Sequence, residues 1–218
     1  MEVSKELEGV IAQMLKPLKG ISLSVVIEGL SGNKIIPFDK NNEKDIIILE
    51  KLKKVAIIAG KEINKNGISV SRPNEVGNAI ESYIRNELNN IGYNASIPKT
   101  KKGKHKSTGY PDIEFIDEFQ RTNYLECKTY NDETDPKKKS MRTFYLSPSD
   151  DFKITKDAHH FIISYEISKE INDGNNLFRC KSWKILSIEN LEVDVKYEFN
   201  CDNSRMYKDD IILADGKF

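Results

Sequence analysis

Apolar residues recur at Val3, Leu7, Val10, Ile11, Met14 and Leu18, the three-and-four spacing of one amphipathic helix, with Pro17 and Gly20 marking its stop. Packing on the chain's own core is the expected use of this stripe; pairing of two subunits is the alternative. Ser22 to Ile27 and Lys34 to Phe38, joined by Leu30-Ser31-Gly32-Asn33, predict a short hairpin. Between Asn42 and Lys65 apolar positions fall on nearly all sides, as in a buried helix. Pro73 opens a further helix that runs to Asn90 before Gly92, with Val76, Ala79, Ile80, Tyr83, Ile84, Leu88 and Ile91 on one side. Two short runs, Ile113 to Ile116 and Tyr124 to Thr129, predict an antiparallel hairpin. His160 to Ile167, Lys184 to Ile188 and Val193 to Phe199 add strands. Helices interleaved with strands make this an α/β chain with a central mixed sheet flanked by helices.

At 218 residues the expected organisation is one domain, with an N-terminal helical and hairpin elaboration over about 1–70 and a core over about 71–170. Lys+Arg and Asp+Glu are equal at 34 each, so evidence for a polyanionic partner must come from charge placement. Five lysines lie between Lys99 and Thr108, and Lys137, Lys138, Lys139 and Arg142 form a second group. Cys127, Cys180 and Cys201 are widely spaced, which argues against a disulfide framework or a zinc site and fits a reducing cytoplasm. No apolar run is long enough for a membrane span or signal segment, so no membrane association is expected.

The hairpin carries the chemistry. A register that sets Asp112 opposite Glu126 also sets Ile113 opposite Leu125 and Phe115 opposite Asn123, with the turn near Phe119. Alternation then turns Glu126 and Lys128 to one side and Leu125 and Cys127 to the other. Two carboxylates and a lysine at one strand edge are costly in a core, yet they suit a hard cation and a phosphate. Cross-strand ion pairs on a solvated face would explain the charges. They leave unexplained why Pro111-Asp112 begins the partner strand between two basic segments.

Tyr110-Pro111-Asp112, thirteen intervening residues and Glu126-Cys127-Lys128 resemble the PD-(D/E)xK nuclease motif, and among such nucleases the chain looks most like a type II restriction endonuclease. The resemblance is sharp over Arg72 to Lys128. It implies a restriction-endonuclease-like core and hydrolysis of DNA phosphodiesters at a short duplex sequence. Mg²⁺ is the implied cofactor, with Mn²⁺ as a substitute, held by Asp112, Glu126 and the Cys127 carbonyl. Gly77-Asn78-Ala79-Ile80-Glu81 is similar to the family's helical Gly-x-x-x-Glu element, which makes Glu81 the further acid that orients water; Glu75 competes but lies farther toward solvent. Gly77, one turn before Glu81, would let the helix approach the sheet. Lys128 would stabilise charge on the scissile phosphate. The resemblance further implies a homodimer on double-stranded DNA and a functional link to a cognate DNA methyltransferase. The alternatives are a structure-selective or nicking endonuclease, of resolvase or mismatch-repair type, and a non-catalytic DNA-binding protein of the same fold.

Beside a nuclease centre the basic segments are expected to contact DNA through Lys101, Lys102, Lys104, His105, Lys106, Ser107, Lys137, Lys138, Lys139 and Arg142. The first is glycine-containing and flexible enough to follow a phosphate backbone; Arg142 has the bidentate fork suited to a guanine edge. Ser147-Pro148-Ser149-Asp150 reads either as part of a recognition loop or as an ordinary capped turn. His159 and His160 flank a core strand, and Trp183 is a packing residue.

Overall fold

The computed structural model describes residues 5–14, 16, 18–70, 73–131, 144–172, 175–197, 201, 203–206, 212 and 214. In chain order the elements are α1 (Lys5–Met14), β1 (Leu18–Ser22), α2 (Leu23–Ser31), α3 (Glu43–Asn66), β2 (Ile68–Ser69), α4 (Pro73–Asn90), β3 (Asn94–Ser96), β4 (Ile113–Ile116), β5 (Thr122–Asn131), β6 (His159–Asn172), β7 (Asn175–Ser187), β8 (Glu192–Val195) and α5 (Asn203–Met206). They fall into two units, Met1–Ile21 with Glu192–Phe218, and Ser22–Leu191.

In the smaller unit β1 pairs with β8, and the Gly20 amide donates to Asp194 Oδ1 at 3.0 Å. Helix α1 forms over Lys5–Met14, inside the span that the periodicity predicts, while Leu18, read as the last position of its stripe, opens β1; none of the helix's residues is buried, and Leu7 and Val10 are exposed.

The larger unit opens with a correction. The segment read as the first strand of a hairpin is helix α2, and the β-branched run Val25-Val26-Ile27 is what misleads. Leu23 and Ile27, one helical turn apart, are wholly buried whereas Val25 is 64% exposed; burial at helical spacing overrides intrinsic strand preference. Gly32, with φ 75°, closes the helix by donating its amide to the Glu28 carbonyl. Residues 33–38 run on without regular structure apart from a bridge between Ile35 and Ala158.

Asn42 caps α3 by accepting from the Lys44 amide at 3.0 Å. One side of α3 is buried through Ile48, Leu52, Val55, Ala56, Ala59 and Ile63. Ile46, Ile47, Ile57 and Ile58 are 37–44% exposed, so burial on nearly all sides is not met. Helix α4 matches its expected limits, and Val76, Ile80, Ile84 and Leu88 are completely buried against the same core.

The six-stranded sheet has the order β2-β7-β6-β5-β4-β3 and is mixed: β5 and β6 run parallel, and the other pairs are antiparallel. One face contributes Ile113, Phe115, Leu125, Cys127, Phe161, Ile163, Tyr165 and Ile167 to a cluster shared with α3 and α4. Small residues let α3 come close: a Cβ on Gly60 would stand 3.1 Å from the Tyr165 ring, and the Tyr165 hydroxyl donates to the Ala56 carbonyl at 2.7 Å. Strands β6 and β7 are longer than the sequence pattern suggests, with a register shift at Glu166/Ile167. Next to the short edge strand β2, the Asn64 side chain continues the pairing. Its amide donates to the Cys180 carbonyl at 2.8 Å, and its oxygen accepts from the Cys180 amide at 2.7 Å. Trp183 packs against the core, as its sequence context suggests.

Candidate active site

The β4–β5 register is the one the sequence predicts: Ile113 faces Leu125 and Phe115 faces Asn123. Asp112, immediately before β4, is thereby set at the level of Glu126. Its Oδ2 accepts from the Cys127 amide at 2.8 Å, which ties the acid to the neighbouring strand. Lys128 Nζ lies 2.5 Å from Glu126 Oε1. Glu126 is almost completely buried, and among the described residues its Oε2 has no hydrogen-bond partner. A buried carboxylate oxygen left unsatisfied is costly unless something neutralises it.

Electrostatics express the same shortage of partners. Burial pushes Glu126 up to about 7, with the Asp112 charge adding to it and Lys128 opposing. Burial also raises Asp112, although the Cys127 amide, Lys128 and Lys153 pull the other way. Glu81, half-buried on α4, is likewise pushed up to about 7, first by burial and then by Asp112. Glu75 is exposed, so of the two helical acids Glu81 is the one within the field of the carboxylates. The reason offered by the sequence for a glycine at 77 does not hold: among the described residues a Cβ there meets nothing within 4 Å. The backbone approach belongs to Gly60 on α3.

These donors fit a hard divalent cation: carboxylate oxygens, one of them orphaned, and a lysine that leaves room for a phosphate. Among the described residues no group of three His, Cys, Asp or Glu side chains is disposed to hold a metal. An ion would therefore rest on Asp112, Glu126 and a backbone oxygen such as that of Cys127, with water completing its shell. Mg²⁺ is commonly held by few carboxylates in this way.

Behind the acids the packing is tight. The Tyr110 hydroxyl and His160 Nδ1 share a hydrogen bond of 2.5 Å, and burial pushes His160 down to about 3, so the imidazole is neutral. His159 and His160 are both buried at the start of β6, consistent with packing roles. Lys153 is 2% exposed; its ammonium donates to the carbonyls of Gly109 at 2.5 Å and Pro111 at 2.9 Å. Sequence reasoning missed this lysine, and its only local signal is the apolar neighbours Phe152 and Ile154. It also missed a second charged cluster at the hairpin turn, formed by Asp45, Asp117, Arg121 and His159.

Residues 101–109 are exposed, which brings Lys101, Lys102, Lys104, His105, Lys106 and Ser107 to the surface just before the Tyr110-Pro111-Asp112 segment. The loop is held more firmly than expected. The Thr100 amide donates to the Lys104 carbonyl, the Lys101 amide to the Phe152 carbonyl, and the Lys102 amide to Asp151 Oδ1, each at 2.9 Å. Lys137, Lys138, Lys139 and Arg142 lie outside the described residues. Ser149 Oγ accepts from the Asp151 amide at 3.1 Å, an ordinary turn, and Phe144 packs edge-on against Tyr110. One cleft is lined by Lys106, Tyr110, Phe152 and Lys153, and neither Asp112 nor Glu126 lines it.

The family model described as the type II restriction enzyme MjaV family matches residues 3–210. The type II restriction enzyme MjaV of Methanocaldococcus jannaschii is 40% identical over 228 aligned positions, covering 96% of this chain and 94% of that protein. No solved structure matches.

Proposed function

Because the chain belongs to the MjaV family of type II restriction enzymes, we propose that it cuts both strands of DNA at a short specific sequence, with Asp112, Glu126 and Lys128 at the reacting centre. The observation that carries the site assignment is the unpartnered, buried Glu126 oxygen beside Asp112 and Lys128, a cluster short of positive charge where a phosphodiester enzyme needs a cation. Enzymes of this class use a divalent metal, and the donor set favours Mg²⁺, with Mn²⁺ able to replace it. A cation held by Asp112 and Glu126 would supply Lewis-acid stabilisation of charge on the phosphate.

The chain's own groups do the rest. Lys128, paired with Glu126 before substrate arrives, is free to donate to a non-bridging phosphate oxygen as negative charge grows there. Glu81, half-buried on α4 within the field of Asp112, would orient the attacking water. The exposed lysines from Lys101 to Lys106 hold the DNA backbone through contacts that carry no sequence information. The working form is a homodimer, since each chain carries one such centre and the two strands of a duplex run antiparallel. A cognate DNA methyltransferase, protecting the same sequence, is the functional partner. No described helix is long and apolar enough to cross a membrane.

The deciding experiment is incubation of the protein with long unmethylated duplex DNA and Mg²⁺, followed by sequencing of the ends. Discrete fragments with one shared end sequence are expected. Nicks alone, or cleavage confined to junctions, would make it a structure-selective enzyme. Binding without cleavage in either Mg²⁺ or Mn²⁺ would make it a non-catalytic DNA-binding protein.

A further inference from the structure

Lys153 lies forty-one positions beyond Asp112, on no regular element, yet it is among the most deeply buried charged residues described. Burying an ammonium is expensive, and burial lowers its affinity for a proton; Asp112, Glu126 and Glu81, in that order, offset part of that loss. Two of its three possible donors are directed at the carbonyls of Gly109 and Pro111, which straddle Tyr110 and end one residue before Asp112. Gly109 has a φ of 83°, so the segment turns sharply where the lysine grips it. On the other side the same stretch is tied down through the Tyr110 hydroxyl on His160. A lysine needed only to fill space would be replaced at less cost by methionine or leucine.

We propose that Lys153 is a positioning residue of the active site. Its ammonium pins the backbone that presents Asp112 to Glu126, and it contributes fixed positive charge to the carboxylate cluster without touching DNA. This rests on the assignment of Asp112 and Glu126 to metal-dependent cleavage. Its role differs from that of Lys128, which is a quarter exposed and able to meet substrate, whereas Lys153 is enclosed. Such supporting groups commonly matter to a metal site almost as much as the ligands do.

The test compares the wild-type protein with Lys153→Met, which keeps length and removes charge, and Lys153→Gln, which keeps a donor for the carbonyls. In Lys153→Met the turnover number on saturating DNA should fall about a hundredfold, the scale of a misplaced reacting group. The Mg²⁺ concentration giving half-maximal cleavage should rise about tenfold. Binding of DNA by metal-free protein should change by less than about twofold, since no phosphate contact is lost. Titration of Mn²⁺ into the DNA-free protein, followed by electron paramagnetic resonance, should show the same weakening without any cleavage step. Lys153→Gln should fall between wild type and Lys153→Met in both readouts. A lower melting temperature with normal turnover and normal metal affinity would make Lys153 a stabilising residue and overturn the proposal. Weaker DNA binding with normal turnover at saturation would make it a substrate contact and also overturn it. Loss of fold in both variants would place Lys153 in the general scaffold and equally overturn the positioning role. Failure of the wild-type protein to cleave would instead remove the functional assignment on which the proposal stands.

Discussion

The β4–β5 hairpin carries buried charge at both ends, and the two ends treat it differently. At the turn, Arg121 donates to Asp45 Oδ1 at 2.7 Å and to Asp117 Oδ2 at 3.0 Å, while Asp117 Oδ1 also accepts from the amides of Phe119 and Arg121. His159 completes the group: its Nδ1 donates to the Ile36 carbonyl at 2.9 Å, and its Nε2 lies 3.4 Å from Arg121 Nη1. There burial would raise Asp45, but the Asp39 amide and Arg121 outweigh it and the net shift is downward. At the open end the same carboxylate chemistry ends in the opposite shift, upward for Asp112, Glu126 and Glu81, and Glu126 Oε2 has no partner among the described residues. At the turn both acids are hydrogen-bonded to Arg121 and the cluster joins α3, β5 and β6, although Arg121 Nη2 and Asn123 Oδ1 have no partner among the described residues. What separates the two ends is the direction of the shift: the carboxyls of the open end are held above their ordinary range, a state that a bound cation would relieve.

The largest way to break this contrast is to remove an acid from the open end. Asp112→Asn or Glu126→Gln should reduce cleavage by about a hundredfold to a thousandfold while the fold and most DNA binding persist. Plasmid cleavage in Mg²⁺, run beside a binding assay, measures both; cleavage above a tenth of wild type would return these acids to a structural role. At the turn the effects should reverse. Arg121→Met strands two buried acids and should destabilise the protein by about 3–5 kcal/mol, leaving turnover per folded molecule unchanged. Urea unfolding combined with active-site titration separates the two quantities.

A third test uses pH. Because the Glu126 value is raised on folding, the metal-free protein holds a proton there that the unfolded chain releases above about 4.5. Its contribution is neutral below about pH 4.5 and becomes a growing penalty as pH rises through about 7. Metal-free Glu126→Gln should accordingly be more stable than wild type at pH 8, by about 2 kcal/mol, with the gain vanishing toward pH 4.5. Asp45 behaves oppositely: its lowered value contributes stability above the ordinary carboxylate range that disappears on strong acidification. An Asp45→Asn variant that gained stability at pH 8 would erase the distinction between the two ends. The smallest effect belongs to Gly77→Ala, which fills open space on α4 and should add about 0.5–1 kcal/mol with normal cleavage. Loss of activity there would show that the space beside Glu81 is used.

What the sequence reveals and conceals follows the reach of each interaction. The hairpin register is legible because alternation and the Asp112 to Glu126 spacing act within one supersecondary unit. Glu81 is legible because helical geometry places it at the border of the apolar side of α4. Helix α2 is not, since Val25-Val26-Ile27 favours a strand locally and only burial of Leu23 and Ile27 decides otherwise. The exposed isoleucines of α3 look like core residues until the packing on each side of the helix is known. Lys153 grips carbonyls 42 and 44 positions away, and Arg121 reaches Asp45 across 76, distances over which no local pattern exists. The basic loop before Tyr110 reads as free for the same reason: Asp151, which holds it, lies 49 residues later.

Asn64 has a consequence for how copies of this chain meet. Strand β2 pairs with β7 through only two residues, Ile68 with Phe178 and Ser69 with Leu177, and a bare strand edge beyond them would invite another chain to add its own backbone. The carboxamide of Asn64 occupies both backbone groups of Cys180, and Arg179 reaches back to the Asn64 carbonyl. A side chain thus imitates one more residue of strand. A newcomer pairing with β7 at Cys180 must first displace it. At Cys180 the edge is stoppered, and addition of another strand there is disfavoured before any partner arrives.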